Sequence, residues 1–245
     1  MPNYIIIFLI LSIVSALVFT ILSFKKTLAN LYLKTVSSMF FVFLATACLY
    51  FVVDTRLSNS VIAYAPEPPN NTLIGGFLIL VGLIVCLIGD IILGMPRISE
   101  LKRDRIPVIV GGASWFLLGH ITYCVALIAL FGINARVLYF IIPMSLFYTF
   151  GNKLFRKLDY KKLTWGVFLY SLVESLSFAI CATEFVFHYS PSLIVLTLGF
   201  ALFYASDMVL MHNYFGEKKR FISILCHSLY YPAQILIALS IFFLA

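Results

Sequence analysis

The chain runs apolar for about twenty residues at a time, repeatedly and with almost no charge inside the runs. That is the length a helix needs to cross the hydrocarbon core of a bilayer. Eight such stretches are read along it: approximately Tyr4 to Phe24, Thr27 to Val53, Leu73 to Met95, Pro107 to Phe131, Val137 to Phe150, Leu163 to Phe187, Ser192 to Tyr214 and Phe221 to Ala245. The fifth is short and carries Pro143. The runs are rich in Leu, Ile and Phe and do not alternate polar with apolar, so helices satisfy the backbone in lipid better than a barrel would. Composition excludes a water-soluble domain: 62% of the 245 residues are hydrophobic and only 11% charged, against about 25% charged in ordinary soluble domains. The expected fold class is all-α, a polytopic membrane helix bundle of eight transmembrane helices forming a single domain over residues 1–245.

The first run is too long for the apolar core of a secretory signal. No positive region precedes it, and Lys25 and Lys26 follow it, so it is read as a span. Cytoplasmic loops hold the excess of Lys and Arg, and alternate loops here are lopsided. One side holds Lys25, Lys26, Lys34, Arg97, Lys102, Arg103, Arg105, Lys153, Arg156, Lys157, Lys161, Lys162, Lys218, Lys219 and Arg220; the other has only Arg56 and Arg136. Both termini are therefore expected away from the cytoplasm. The net charge of +7 is explained by this topology and by attraction to anionic membrane lipid, so no nucleic-acid partner is expected. Cys48, Cys86, Cys124, Cys181 and Cys226 all fall inside spans with no C-x-x-C pair, and are read as packing residues. The longest outer loop, Asp54 to Thr72, holds Pro66, Pro68, Pro69, Asn70 and Asn71 and promises no ordered domain.

Charged groups deep in a bilayer helix cost about 3 kcal/mol on insertion scales and usually face the bundle interior, where they mark function. Here they are few. Lys34 lies near the start of the second span, Asp90 near the end of the third and Asp207 near the end of the seventh. His120 is midway along the fourth span, Glu174 midway along the sixth, and His227, Tyr230 and Gln234 lie within the eighth. At about 1.5 Å per residue, Asp90 and Asp207 sit roughly 10 Å inside the same boundary. Lys34 enters to a similar depth, with His120 and Gln234 deeper, which suggests one polar pocket open to the cytoplasmic leaflet. Gly82, Cys86, Asp90 and Gly94 form a small-residue column that lets a neighbouring helix approach. Phe203, Ser206, Asp207 and Leu210 share a helix face, as do His227, Tyr230 and Gln234, and Pro232 frees a carbonyl near Gln234. Tyr170, Glu174, Ser177, Cys181 and Glu184 form a polar stripe on the sixth span.

A faint internal echo accompanies these residues. Gly89-Asp90-x-x-Leu93-x-Met95 parallels Ser206-Asp207-x-x-Leu210-Met211, and His120-x-x-Tyr123 parallels His227-x-x-Tyr230. Four spans separate each pair, as in a four-plus-four parallel repeat. Structural readings stand beside the functional ones. Lys34 can snorkel to the interface, Asp90 and Asp207 can serve as interhelical hydrogen-bond partners, His120 and His227 can be satisfied donors, and Glu174 can pair with Lys34. No H-E-x-x-H or comparable spacing is present, so no metal is expected.

With these residues in view, the chain resembles the lysoplasmalogenases, or YhhN-like membrane proteins. The resemblance is carried by Lys34, by Ile88-Gly89-Asp90-Ile91-Ile92-Leu93, by Gly119-His120-Ile121-Thr122-Tyr123, by Gly199 through Phe203 to Ser206-Asp207, and by Tyr230-Tyr231-Pro232-Ala233-Gln234, in order between Leu28 and Ser240. It departs from the family at Thr35, where Pro is common, and at Pro232, and Glu174 is not among the residues that carry the resemblance. The resemblance implies hydrolysis of the vinyl ether of a lysoplasmalogen, a lysophospholipid, to a fatty aldehyde and a glycerophospho-head-group, with no cofactor. The residue chemistry fits. A vinyl ether is cleaved by protonating its outer alkene carbon and capturing the oxocarbenium ion with water, which needs one acid that keeps its proton near neutral pH and one nearby carboxylate. Asp90 and Asp207 are the expected catalytic pair. Lys34 would tune them or meet the substrate phosphate, and His120, Tyr123, Ser206, Tyr230 and Gln234 would position water and the lipid head.

The rival reading is a proton-coupled membrane transporter or lipid carrier using Asp90, Asp207 and Glu174 as a relay. Such carriers pair broken helices in corresponding halves, and the Pro143 and Pro232 spans do not correspond. A scaffold without chemistry leaves the buried carboxylates unexplained. The sequence carries no signal of oligomeric state.

Overall fold

A computed structural model describes residues 1–23, 28–61, 71–95, 105–155, 157–216 and 219–244. The helices are α1 (Asn3–Leu22), α2 (Leu28–Val61), α3 (Asn71–Gly94), α4 (Arg105–Phe131), α5 (Leu138–Leu146), α6 (Asn152–Phe155), α7 (Thr164–Phe187), α8 (Pro191–Phe215) and α9 (Arg220–Ser240). Among the described residues, seven helices are long and apolar enough to cross a membrane: α1 to α4 and α7 to α9. Of the charges counted for orientation, Lys25, Lys26, Arg97, Lys102, Arg103, Arg156 and Lys218 lie outside the described residues, as do Pro66, Pro68, Pro69 and Asn70.

The fifth expected span is helical but irregular. A short turn (Ala135–Val137) leads into α5, which carries Pro143, and a π-helical stretch (Phe147–Gly151) then joins α5 to α6. A proline removes one ladder hydrogen bond, and wide turns of this kind absorb such a mismatch and often lie near functional sites. The whole segment rises roughly 30 Å, about the thickness of the hydrocarbon core. The second span differs in the other direction. The expected loop from Asp54 is helical as far as Val61, and Asn71 and Thr72 already belong to α3. No glycine or proline falls between Asp54 and Val61, so nothing local stops α2 where its apolar run ends.

Local chemistry sets the other boundaries. Gly132, at φ 80°, ends α4 in the left-handed conformation that glycine adopts at least cost, its N–H bonding to the Ile128 carbonyl at 2.8 Å. Ser190 caps α8 by accepting the Leu193 N–H at 3.2 Å, with Pro191 in the first turn, where a missing N–H costs nothing.

Six helices close into a ring. In order, α2 packs on α3, α3 on α4, α4 on α7, α7 on α8, α8 on α9, and α9 back on α2. Outside it, α1 lies against α2 and α9, and α5 lies against α7. The α3–α4 seam is closest because it is lined with glycine. A side chain at Gly82 would run into the Tyr123 ring, and one at Gly119 into the Cys86 sulfur. Large apolar side chains such as Ile7, Leu17, Tyr139, Trp165 and Val186 point outward, as lipid requires and water would not tolerate. The chain is an integral membrane protein, and its buried charged residues and buried histidines lie on the helices of the ring.

Candidate active site

Asp90 is held from two neighbouring helices. It is 1% exposed on α3. Its Oδ1 lies 2.8 Å from the Lys34 ammonium of α2. Its Oδ2 accepts hydrogen bonds from Ser38 Oγ at 2.6 Å and from the Tyr230 hydroxyl of α9 at 2.7 Å. Lys34 and Ser38 are four residues apart and so share one face of α2. The Lys34 ammonium is therefore a buried counterion and does not snorkel. Gly94 makes room for Leu31, one turn from Lys34, since a side chain there would run into it.

Asp207 on α8 is held differently. The Tyr170 hydroxyl of α7 donates to its Oδ2. Ser206 Oγ is 3.4 Å from its Oδ1 but donates at 2.9 Å to the Phe203 carbonyl, which leaves Oδ1 weakly partnered. Among the described residues no ammonium or guanidinium group contacts Asp207, although it lies within range of the charges on Asp90 and Lys34. Beside it are Glu174 of α7 and His120 of α4. One donor atom each from His120, Glu174 and Asp207 lie within 4.8 Å of one another. Both carboxyl oxygens of Glu174 and both ring nitrogens of His120 are buried with no hydrogen-bond partner. Buried polar atoms are nearly always satisfied, so four orphans in one cluster require an explanation. The three residues could hold a divalent cation.

Aromatic rings join the two carboxylates. Tyr230 packs edge-on against Phe203 with centroids 5.5 Å apart, Phe203 against His120 at 4.5 Å, and His120 against Tyr170 at 5.9 Å. Phe116 closes this wall against Phe203 and Tyr230. On the far side of His120, the Tyr123 hydroxyl donates to Gln234 Oε1 at 3.3 Å and lies 3.7 Å from the Cys86 sulfur.

All eight residues expected at a site, Lys34, Asp90, His120, Tyr123, Ser206, Asp207, Tyr230 and Gln234, are buried on the inner side of the ring. They form two groups. Asp90 and Asp207 share no hydrogen bond among the described residues; each has its own partners. The alternative in which Glu174 pairs with Lys34 is overturned, because Asp90 takes the ammonium. Glu184, at the end of the expected polar stripe, lies 3.9 Å from His188 instead. His227 packs on Phe19 of α1, with centroids 4.9 Å apart, away from both groups. Sequence reasoning missed Ser38 and Tyr170 as carboxylate partners. The signals were present, since Ser38 is one turn from Lys34 and Tyr170 one turn from Glu174. It also missed the grouping of His120, Glu174 and Asp207, whose spacing along the chain matches no metal motif.

No curated protein and no solved structure matches the chain. A family model, described as the YhhN family, matches residues 49–241. The match includes both aspartates, His120, Glu174 and Tyr230, while Lys34 and Ser38 precede it. With most of its length covered, this integral membrane protein belongs to the YhhN family, a membership that together with the helical bundle fits a membrane enzyme.

Proposed function

We infer that the protein hydrolyses the vinyl ether bond of a lysoplasmalogen, with Asp90 and Asp207 as its catalytic pair. The observation that carries this reading is the unequal holding of two buried carboxylates inside one ring of helices. Asp90 is engaged by an ammonium and two hydroxyl donors. Asp207 has hydroxyl neighbours and a second carboxyl group in place of a cation. Acid-base pairs divide their roles by environment in this way.

The chemistry balances in four proton movements. A proton from the Asp207 side of the interior, from its carboxyl or from a water it holds, adds to the outer alkene carbon and leaves an oxocarbenium ion. The Asp90 carboxylate stabilises that charge and takes one proton from a water as its oxygen bonds to the carbon next to the ether oxygen. The hemiacetal then collapses. Asp90 returns its proton to the leaving glycerol oxygen, the hemiacetal hydroxyl gives its own back to the Asp207 side, and one water has been consumed. Lys34, close to Asp90, is suited to the lipid phosphate, and His120, Tyr123, Ser206, Tyr230 and Gln234 to positioning water and head group.

The test is aldehyde release by the purified protein in detergent across a panel of lysolipids. Asp90→Asn and Asp207→Asn should each cost about 10² to 10⁴ in rate, the usual contribution of general acid or base catalysis, with elution and helicity unchanged. Full activity in both variants would refute the pairing. A carrier would release no aldehyde in this assay at all.

A further inference from the structure

We propose that His120, Glu174 and Asp207 form a site for one divalent transition-metal cation, with Zn²⁺ the ion their chemistry suits best. The donors come from three helices of the ring and lie within 4.8 Å of one another. They are 1%, 2% and 3% exposed, so water does not serve them from outside. His120 and Glu174 contribute four buried atoms that make no hydrogen bond within the protein, and an ion held between them would engage one atom of each. Asp207 completes the set with one carboxylate oxygen, and the Tyr170 hydroxyl donates to its Oδ2. An outer hydrogen bond of that kind orients a ligating carboxylate.

Charge supports the assignment. Two buried carboxyl groups with no lysine or arginine in contact are costly to ionise, and a divalent cation between them would balance both charges. Asp90, whose charge Lys34 already balances, has no such need. Imidazole nitrogen and carboxylate oxygen are both donors that Zn²⁺ takes, and three protein ligands leave a fourth position to water. Metal–donor lengths of about 2.0 to 2.2 Å place tetrahedral donors roughly 3.4 Å apart, so the side chains would draw in by about an ångström. The site is invisible to motif reading because its ligands lie on α4, α7 and α8.

The proposal does not depend on the hydrolytic reading. Where both hold, the cation-bound water is the group that brings the proton from the Asp207 side, and Asp207 holds the cation. The experiment reads metal, not turnover. The full chain in detergent is stripped with a chelator, loaded with Zn²⁺ or Co²⁺ and desalted, and metal per chain is measured by elemental analysis. The expected result is one ion per chain in the wild type, a loss of at least tenfold in affinity in Glu174→Gln and His120→Ala, and retention in His227→Ala, which alters a histidine outside the cluster. Wild-type protein that keeps no more metal than Glu174→Gln overturns the proposal, as does binding indifferent to both substitutions. Should His120→Ala fail to fold, the Co²⁺ form of the wild type decides. Intense visible bands of a four-coordinate nitrogen and oxygen site are expected, and a spectrum like that of aqueous Co²⁺ overturns the site.

Discussion

The two halves of the ring place an aspartate at the same point and surround it with opposite chemistry. Helices α2, α3 and α4 follow one another round the ring as α7, α8 and α9 do, in keeping with the weak internal echo in the sequence. In each half the middle helix carries the carboxylate, and the preceding helix offers it two side chains four residues apart. For Asp90 these are Lys34 and Ser38; for Asp207 they are Tyr170 and Glu174. The first half thus has a cation where the second has a phenol, and a hydroxyl where the second has a carboxyl. One carboxylate is neutralised by its own chain. The other has gained a second acid and an imidazole, and with them a set of unsatisfied atoms. The same arrangement of helices in the two halves leaves one carboxylate closed by its partners and the other open to a ligand.

The largest effect that could break this comparison is on stability. Lys34→Met strands Asp90 in a low-dielectric interior and should cost about 3 to 5 kcal/mol, the usual result of removing one partner from a buried ion pair. Thermal unfolding in detergent measures it. Adding Asp90→Asn to Lys34→Met should restore most of the loss, because two neutral side chains leave no bare charge. Asp207→Asn by itself should cost far less, since it breaks no ion pair. Equal losses for Lys34→Met and Asp207→Asn would mean that the two halves are held alike.

A second effect sharpens the comparison through activity. Tyr170→Phe removes the principal donor to Asp207, and a hydrogen bond to a charged group is worth about 1.5 to 3 kcal/mol, or roughly tenfold to a hundredfold in rate. Tyr230→Phe removes one of three partners from Asp90 and leaves Lys34 and Ser38, so it should cost less than about tenfold. Aldehyde release by the two variants, side by side, gives the ratio. A larger loss in Tyr230→Phe would reverse the assignment of the more dependent carboxylate.

What was legible in advance follows from which quantities a sequence encodes directly. Asp90, Asp207 and Lys34 stand out because a charge inside an apolar run is costly, and their common depth follows from the fixed rise of a helix. The bundle class follows from the runs themselves. Pairing was not legible, because it depends on how each helix is rotated and which helices adjoin, and neither is written in the spacing along one chain. Glu174 and Asp90 therefore looked equally available to Lys34. Ser38 and Tyr170 carry no charge and are ordinary in membrane helices, so nothing marked them until the carboxylates they serve were located. Pro143 marked the fifth span as irregular, but the helix runs on through it, and the π-helical stretch that follows was not legible, since no residue type requires one.

The smallest effects are the most specific, because they should differ in sign between equivalent positions. Ser38→Ala removes a donor from a carboxylate that keeps two others, and should destabilise by about 1 kcal/mol. Glu174→Leu, one turn along from Tyr170 as Ser38 is from Lys34, exchanges two unsatisfied buried oxygens for methyl groups of similar bulk. Replacing an unpaired buried polar group by an apolar one of like shape is neutral or stabilising, so the chelator-stripped variant should melt at the wild-type temperature or slightly above it. In the cation-loaded protein the same change should destabilise, since the wild type alone then gains the binding energy of the ion. A Glu174→Leu variant that melts well below the stripped wild type would show that Glu174 is satisfied without a cation, and the contrast between the two halves would shrink to the ion pair at Asp90.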